Sequence, residues 1–131
     1  MRVLVVDDSA AQRRKIATFL VRCGAEVDEA RDGAEALECL RENPDYTILV
    51  TDWNMPRMDG LCLVKKVREN PALERLPILM VTTENDPWSV TRAIRSGANE
   101  YLMKPFDHLA LWTKLRTVLG PGHLMFDELE S

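Results

Sequence analysis

The sequence predicts an α/β domain: a doubly wound, five-stranded parallel sheet with five helices on its two faces. Two observations predict it. Short runs rich in β-branched residues alternate with longer segments of helical periodicity, so β–α units follow one another five times. The first, third and fourth runs are apolar nearly throughout, as strands buried on both faces must be. Parallel neighbours joined through helices take right-handed crossovers.

The first strand is Val3–Val6, and the helix after it carries Ile16, Phe19, Leu20 and Cys23 on one face before Gly24 stops it. The second strand, around Val27, alternates polar and apolar residues, which suits an edge. Asp32 and Glu35 then form an aspartate version of the capping box, ahead of Ala36, Leu37 and Leu40. The third strand is Ile48–Val50. Its helix starts after Asp59-Gly60 and runs through Leu61, Val64 and Val67 toward Pro71. After the fourth strand, Ile78–Val81, Asp86 caps a helix with Pro87 at its first position and Gly97 at its end. The fifth strand is Glu100–Met103, and the last helix uses Leu109, Trp112, Leu115 and Val118-Leu119. Residues 1–119 thus read as one domain, and 120–131, opening on Gly120-Pro121-Gly122, as a tail or linker stub.

With 131 residues, the chain is long enough for one core and too short for two. Hydrophobic residues at 46% and charged residues at 29% mark a soluble globular protein. The net charge of −4 argues against nucleic-acid binding, which calls for a basic surface. Arg13, Arg14 and Lys15 form the densest basic run and read as a solvated helix face. No apolar stretch approaches a membrane span, and the first run is too short for a signal peptide. Cys23, Cys39 and Cys62 are odd in number and not closely spaced, so they read as reduced thiols and imply a cytoplasmic address.

In an open α/β sheet, ligands bind beyond the carboxyl ends of the strands. Asp7 and Asp8 follow the first strand, Asp52 the third, Thr82 and Thr83 the fourth, and Lys104 the fifth. Four strands therefore deliver charged or reactive groups to one rim. Three crowded carboxylates repel one another, and a hard divalent cation such as Mg²⁺, or Mn²⁺ in its place, removes that conflict. A carboxylate flanked by such a cation and by Lys104 can act as a nucleophile toward phosphorus, with the Thr82 hydroxyl placed to bond the product. Taken singly, Asp7-Asp8 also reads as a helix cap, Asp52 as a turn residue and Lys104 as a solvated strand end.

At these residues the chain resembles the receiver domains of two-component response regulators, over about residues 1–119. The matching pieces are Val3-Leu4-Val5-Val6-Asp7-Asp8-Ser9, Thr51-Asp52-Trp53-Asn54-Met55-Pro56 with Met58-Asp59-Gly60, Val81-Thr82, and Tyr101-Leu102-Met103-Lys104-Pro105. The resemblance implies a flavodoxin-like strand order of 2-1-3-4-5. It implies that Asp52 is the phosphoacceptor, charged by a sensor histidine kinase, a phosphotransfer protein or a small phosphodonor. Asp8, Asp52 and the backbone carbonyl of Asn54 would hold the metal, with Asp7 reaching it through water. Lys104 would contact the phosphoryl group, and its peptide bond to Pro105 would be cis. Thr82 would swing toward the phosphate and Tyr101 turn inward in response. That changes the face of the fourth helix, fifth strand and fifth helix, which a downstream protein or fused output domain reads. Asn54 and Glu84 would tune hydrolysis of the acyl phosphate. Thr83 stands where the family usually has a small residue and would narrow the entrance to Asp52. Asp86-Pro87 is not the basic segment expected for a chemotaxis output.

Two other readings compete. A pseudo-receiver would keep the fold as an interaction module without phosphorylation. A metal-dependent phosphohydrolase of the haloacid-dehalogenase type needs an Asp-x-Asp-x-Thr pattern after its first strand, where this chain has Asp7-Asp8-Ser9.

Overall fold

In the computed structural model, which describes residues 1–120, the chain alternates strands and helices as its periodicity requires. The strands are β1 (Arg2–Val6), β2 (Glu26–Ala30), β3 (Ile48–Thr51), β4 (Ile78–Thr82) and β5 (Glu100–Met103). The helices are α1 (Ala10–Arg22), α2 (Gly33–Glu42), α3 (Gly60–Glu69), α4 (Pro87–Ser96) and α5 (His108–Leu119). A short 3-10 turn at Pro71–Leu73, which the periodicity does not mark, follows α3. The expected tail lies, from Pro121 onward, outside the described residues.

All neighbouring strands pair in parallel, in the order β2-β1-β3-β4-β5. The polar-alternating β2 takes one edge, as its pattern predicts. Register aligns Val6 with both Ala30 and Thr51, and Thr82 with Met103. The ladder continues past the strand ends: the Asp7 N–H donates to Ala30 O, Asp52 N–H to Val6 O and Lys104 N–H to Thr82 O, at 3.1, 2.8 and 2.9 Å. Asp7, Asp52 and Lys104 thus stand on backbone that the sheet itself holds.

Alternation along β1 divides the core. Leu4 and Val6 face α2, α3 and α4 with Leu37, Leu40, Leu63, Val64 and Ala93; Val3 and Val5 face α1 and α5 with Ile16, Leu20, Leu111 and Leu115. Burying one such side chain contributes about 1.5–3 kcal/mol. An exposed ion pair contributes about 0–1 kcal/mol, so the apolar layers carry the fold. Each helix begins with a side-chain oxygen accepting a backbone N–H: Ser9, Asp32, Asp59, Asp86 and Asp107 bond Gln12, Glu35, Cys62, Ser89 and Ala110. The cap of α1 therefore belongs to Ser9, which leaves Asp7 and Asp8 for other work.

Two expectations change. Leu109 is 63% exposed, because Leu111, Trp112 and Leu115 form the buried stripe of α5. Arg13 is not part of a solvated face: it folds onto the sheet, donating to Glu29 Oε1 at 3.0 Å and to the Asp7 carbonyl at 2.7 Å. Among the described residues, no helix is long and apolar enough to cross a membrane. The three cysteines are unpaired; Cys23 is buried, and burial pushes its thiol up to about 11.

Gly60 opens α3 directly against the phosphoacceptor candidate. Its N–H donates to the Trp53 carbonyl at 2.7 Å, and a Cβ on it would sit 2.0 Å from the Asp52 carbonyl oxygen. Backbone cannot yield as a side-chain tip does, so Gly60→Ala should cost at least about 1–3 kcal/mol. Urea denaturation of the two proteins measures this, and equal midpoints would mean that the loop has room that the structure does not show.

Candidate functional site

Three carboxylates meet at the carboxyl edge of the sheet. Asp7, Asp8 and Asp52 each offer an oxygen within 4.8 Å of the others. Asp7 and Asp52 are buried and Asp8 is exposed, so the cluster has a dry floor and an open mouth. Asp7 Oδ1 accepts the Ser9 N–H at 2.9 Å, and its Oδ2 accepts from Lys104 Nζ at 2.8 Å. The same Nζ lies 3.4 Å from Asp52 Oδ2. Asp52 Oδ1 accepts the Trp53 N–H at 2.7 Å, which sets the angle of the carboxylate. Asn54 comes two residues later, on the loop into α3. The Lys104–Pro105 peptide bond is cis.

The remaining candidates collect around Glu84. Its carboxylate accepts from Asn54 Nδ2 at 3.0 Å, joining the two residues read as modulators across 30 positions of sequence. Its N–H reaches the Thr82 hydroxyl at 3.4 Å, and its carbonyl accepts the Tyr101 hydroxyl. Thr82 is fully buried, and Tyr101 is buried beside it. Thr83 is exposed and, with Lys15, Lys104, Phe106 and His108, lines a cavity of about 550 Å³.

Sequence reasoning missed three neighbours. Arg13 braces the Asp7 carbonyl, Arg57 bonds the cap residue Asp32, and Arg92 of α4 lies 5.8 Å from the centroid of the Trp53 ring. Helical spacing and the acidic β2 strand contained a signal for Arg13. Nothing local marks the other two, whose partners are distant in sequence.

Burial raises the Asp52 pKa above the ordinary carboxylate value; Lys104 opposes this and Asp7 adds to it. An all-oxygen cluster of partly dry acids suits a hard divalent cation, and Asp7, Asp8 and Asp52 supply that donor set. Its charge would favour the ionised form of Asp52. A buried, oriented carboxylate beside an ammonium group also suits attack on phosphorus, where Lys104 offsets charge on the transferred oxygens.

The raised pKa has a consequence for stability. Between the ordinary value and the folded-state value, the folded chain holds more proton than the unfolded chain. Stability therefore falls as pH rises through that window, and the loss persists above it. Asp52→Asn, melted without divalent metal, should be more stable than wild type at neutral pH. The advantage should shrink as pH drops below the ordinary carboxylate range. A gain independent of pH would separate it from the ionisation of Asp52.

Known proteins share the sequence pattern and the fold. The family model of the response regulator receiver domain matches residues 3–116. A chemotaxis protein CheY homolog of Campylobacter jejuni is 50% identical over 123 residues, 93% of this chain and 95% of the relative. Chemotaxis protein CheY1 of Helicobacter pylori is 50% identical over 121 residues, covering 92% and 98%. Among solved structures, Vibrio cholerae CheY4 superimposes with a TM-score of 0.85 at 38% identity, over 90% of this chain and 98% of that one. A CheX–CheY–BeF3–Mg²⁺ complex from Borrelia burgdorferi gives 0.86 at 25% identity, over 90% and 88%. With the same strand order, nearly full coverage and half the residues shared with curated relatives, the chain belongs to the response regulator receiver domain family.

Proposed function

We propose that this receiver domain is switched by a phosphoryl group on Asp52, with Asp7, Asp8, Asp52 and the Asn54 carbonyl as the Mg²⁺ site. The observation that carries the reading is Lys104 Nζ, 2.8 Å from Asp7 and 3.4 Å from Asp52 within the three-carboxylate cluster. Bound Mg²⁺, or Mn²⁺, supplies positive charge to the carboxylates and to the transferred phosphoryl oxygens. The Trp53 N–H holds one oxygen of Asp52 and leaves Oδ2, on the Lys104 side, to attack phosphorus. The new O–P bond forms as the bond to the leaving group breaks, and the leaving group departs with its electron pair. The donor is a sensor histidine kinase, a phosphotransfer protein or a small acyl phosphate. Catalysis is confined to this self-phosphorylation and to slow hydrolysis, which the Asn54–Glu84 pair at the mouth would tune. The BeF3 and Mg²⁺ named in the Borrelia complex support the same chemistry.

Output leaves by α4, β5 and α5. Trp88, Ile94 and Met103 are exposed there, suited to a protein partner or a fused output domain. Thr82 and Tyr101 both bond Glu84, so a shift of Thr82 toward a phosphoryl group would act on the residue that Tyr101 contacts. The free thiols fit a cytoplasmic address.

Two measurements test this reading. Mg²⁺ at a hundred times its dissociation constant should stabilise the fold by about 2.7 kcal/mol, and Asp8→Asn should remove most of that gain. An unchanged melting temperature in saturating Mg²⁺ counts against the metal site. Acetyl phosphate with Mg²⁺ should add the mass of one phosphoryl group to wild type and none to Asp52→Asn, with faster loading of Thr83→Ala. Phosphorylation of the Asp52→Asn protein would move the acceptor elsewhere, whereas equal rates for the Thr83 pair would remove Thr83 as a gate.

Thr82→Ala should leave metal binding and phosphorylation largely intact while weakening the response of α4, β5 and α5. Coupling of this kind is typically about 1–3 kcal/mol. Amide chemical shifts over residues 86–119, with and without beryllofluoride, measure it. Identical changes in both proteins would sink the relay and leave Asp52 as acceptor.

A further inference from the structure

The loop from Asp52 to Asp59 carries the Asn54 carbonyl, and two backbone hydrogen bonds hold it. At its far end, Gly60 N–H bonds the Trp53 carbonyl at 2.7 Å. At Met58 it meets the start of α2, where Gly33 N–H donates to the Met58 carbonyl at 3.0 Å. The fit is close enough that a Cβ on Gly33 would lie 2.7 Å from that oxygen. Directly before Met58 stands Arg57, a non-glycine residue with φ of 65°, in the left-handed region that glycine occupies more easily. Its side chain does what glycine has no atoms to do. Nε donates to Asp32 Oδ2 at 2.8 Å, and Nη2 lies 2.6 Å from the same oxygen. The other oxygen of Asp32 accepts the Glu35 N–H at 2.9 Å. Asp32 is 3% exposed, so one buried carboxylate joins the first turn of α2 to the β3–α3 loop.

We propose that Arg57 is a positioning residue for the metal site: by gripping Asp32 it holds the β3–α3 loop, and so the Asn54 carbonyl, at the carboxylate cluster. The inference rests on the reading of Asp7, Asp8, Asp52 and Asn54 as the Mg²⁺ site. The alternative role for the pair is to stabilise the α2 cap alone. The two differ in what they change. A cap stabiliser alters melting and leaves metal affinity untouched; a positioning residue alters metal affinity in a chain that is still folded.

Calorimetric titration of the 131-residue chain with Mg²⁺ alone separates them, with circular dichroism confirming folding of each variant. Arg57→Gln should raise the dissociation constant about tenfold, the lower end of the effect of removing a residue that supports a metal ligand. Arg57→Gly should do the same even though it relieves the strained φ, which assigns the effect to the guanidinium. Arg57→Lys, which keeps a cation within reach of Asp32, should recover most of the affinity. Wild-type affinity in both the glutamine and glycine variants, with only a lower melting temperature, would overturn the proposal and leave the pair as a cap stabiliser. Failure of wild type itself to bind Mg²⁺ would overturn the metal-site reading and this inference together.

Discussion

Like charges crowded at the edge of the sheet are the constraint to which the rest of this structure answers. Two unit charges 4 Å apart repel by about 4 kcal/mol at the effective dielectric of a protein surface. That approaches the total stability of a small domain, about 5–15 kcal/mol. Asp7, Asp8 and Asp52 offer oxygens within 4.8 Å of one another, and two of the three residues are buried. Lys104 offsets the strain from the far side of the sheet. It follows β5, with β4 and β3 between it and β1, and its long side chain reaches both buried acids. The cluster therefore persists through a contact that spans 97 residues of sequence.

Because the strands are parallel, their carboxyl ends lie on one edge. Because the ladder runs one residue past β1, β3 and β4–β5, the residues that follow those strands are fixed as firmly as the strands. This explains how a site on loop residues can have a buried floor. The apolar layers on both faces hold the sheet, and the sheet holds the charges. Exposed ion pairs contribute little to this arrangement; one cavity-forming change in Leu49 or Leu79, both fully buried, would cost more than losing any of them.

The region around Glu84 connects the charged cluster to the helices beyond it. One residue bonds Asn54 through its carboxylate, Thr82 through its N–H and Tyr101 through its carbonyl. A change at the carboxylates thus meets a residue that already touches the β3–α3 loop, the end of β4 and the ring of β5. A second contact runs beside it: Trp53, whose N–H orients Asp52, packs its ring under Arg92 of α4. Both routes end on the side of the domain where Trp88, Ile94 and Met103 are exposed.

Much of this was legible in the sequence, for local reasons. Apolar runs and helical spacing placed all five strands and five helices, since burial of a strand or helix face repeats along the chain itself. Asp32, Asp59 and Asp86 announced their helices because a cap acts within three residues. Asp7, Asp8, Asp52, Thr82 and Lys104 could be assigned to one rim because parallel topology puts every strand end on the same edge. Tertiary structure alone decided where long side chains finish. Arg13 lies on the sheet and Leu109 faces solvent because neighbouring elements decide which flank of a helix is covered. Lys104 on Asp7, Arg57 on Asp32 and Asn54 on Glu84 are pairs set by distance in space. Each joins residues far apart in the chain, and periodicity carries no information about which flexible, charged tip will meet which partner.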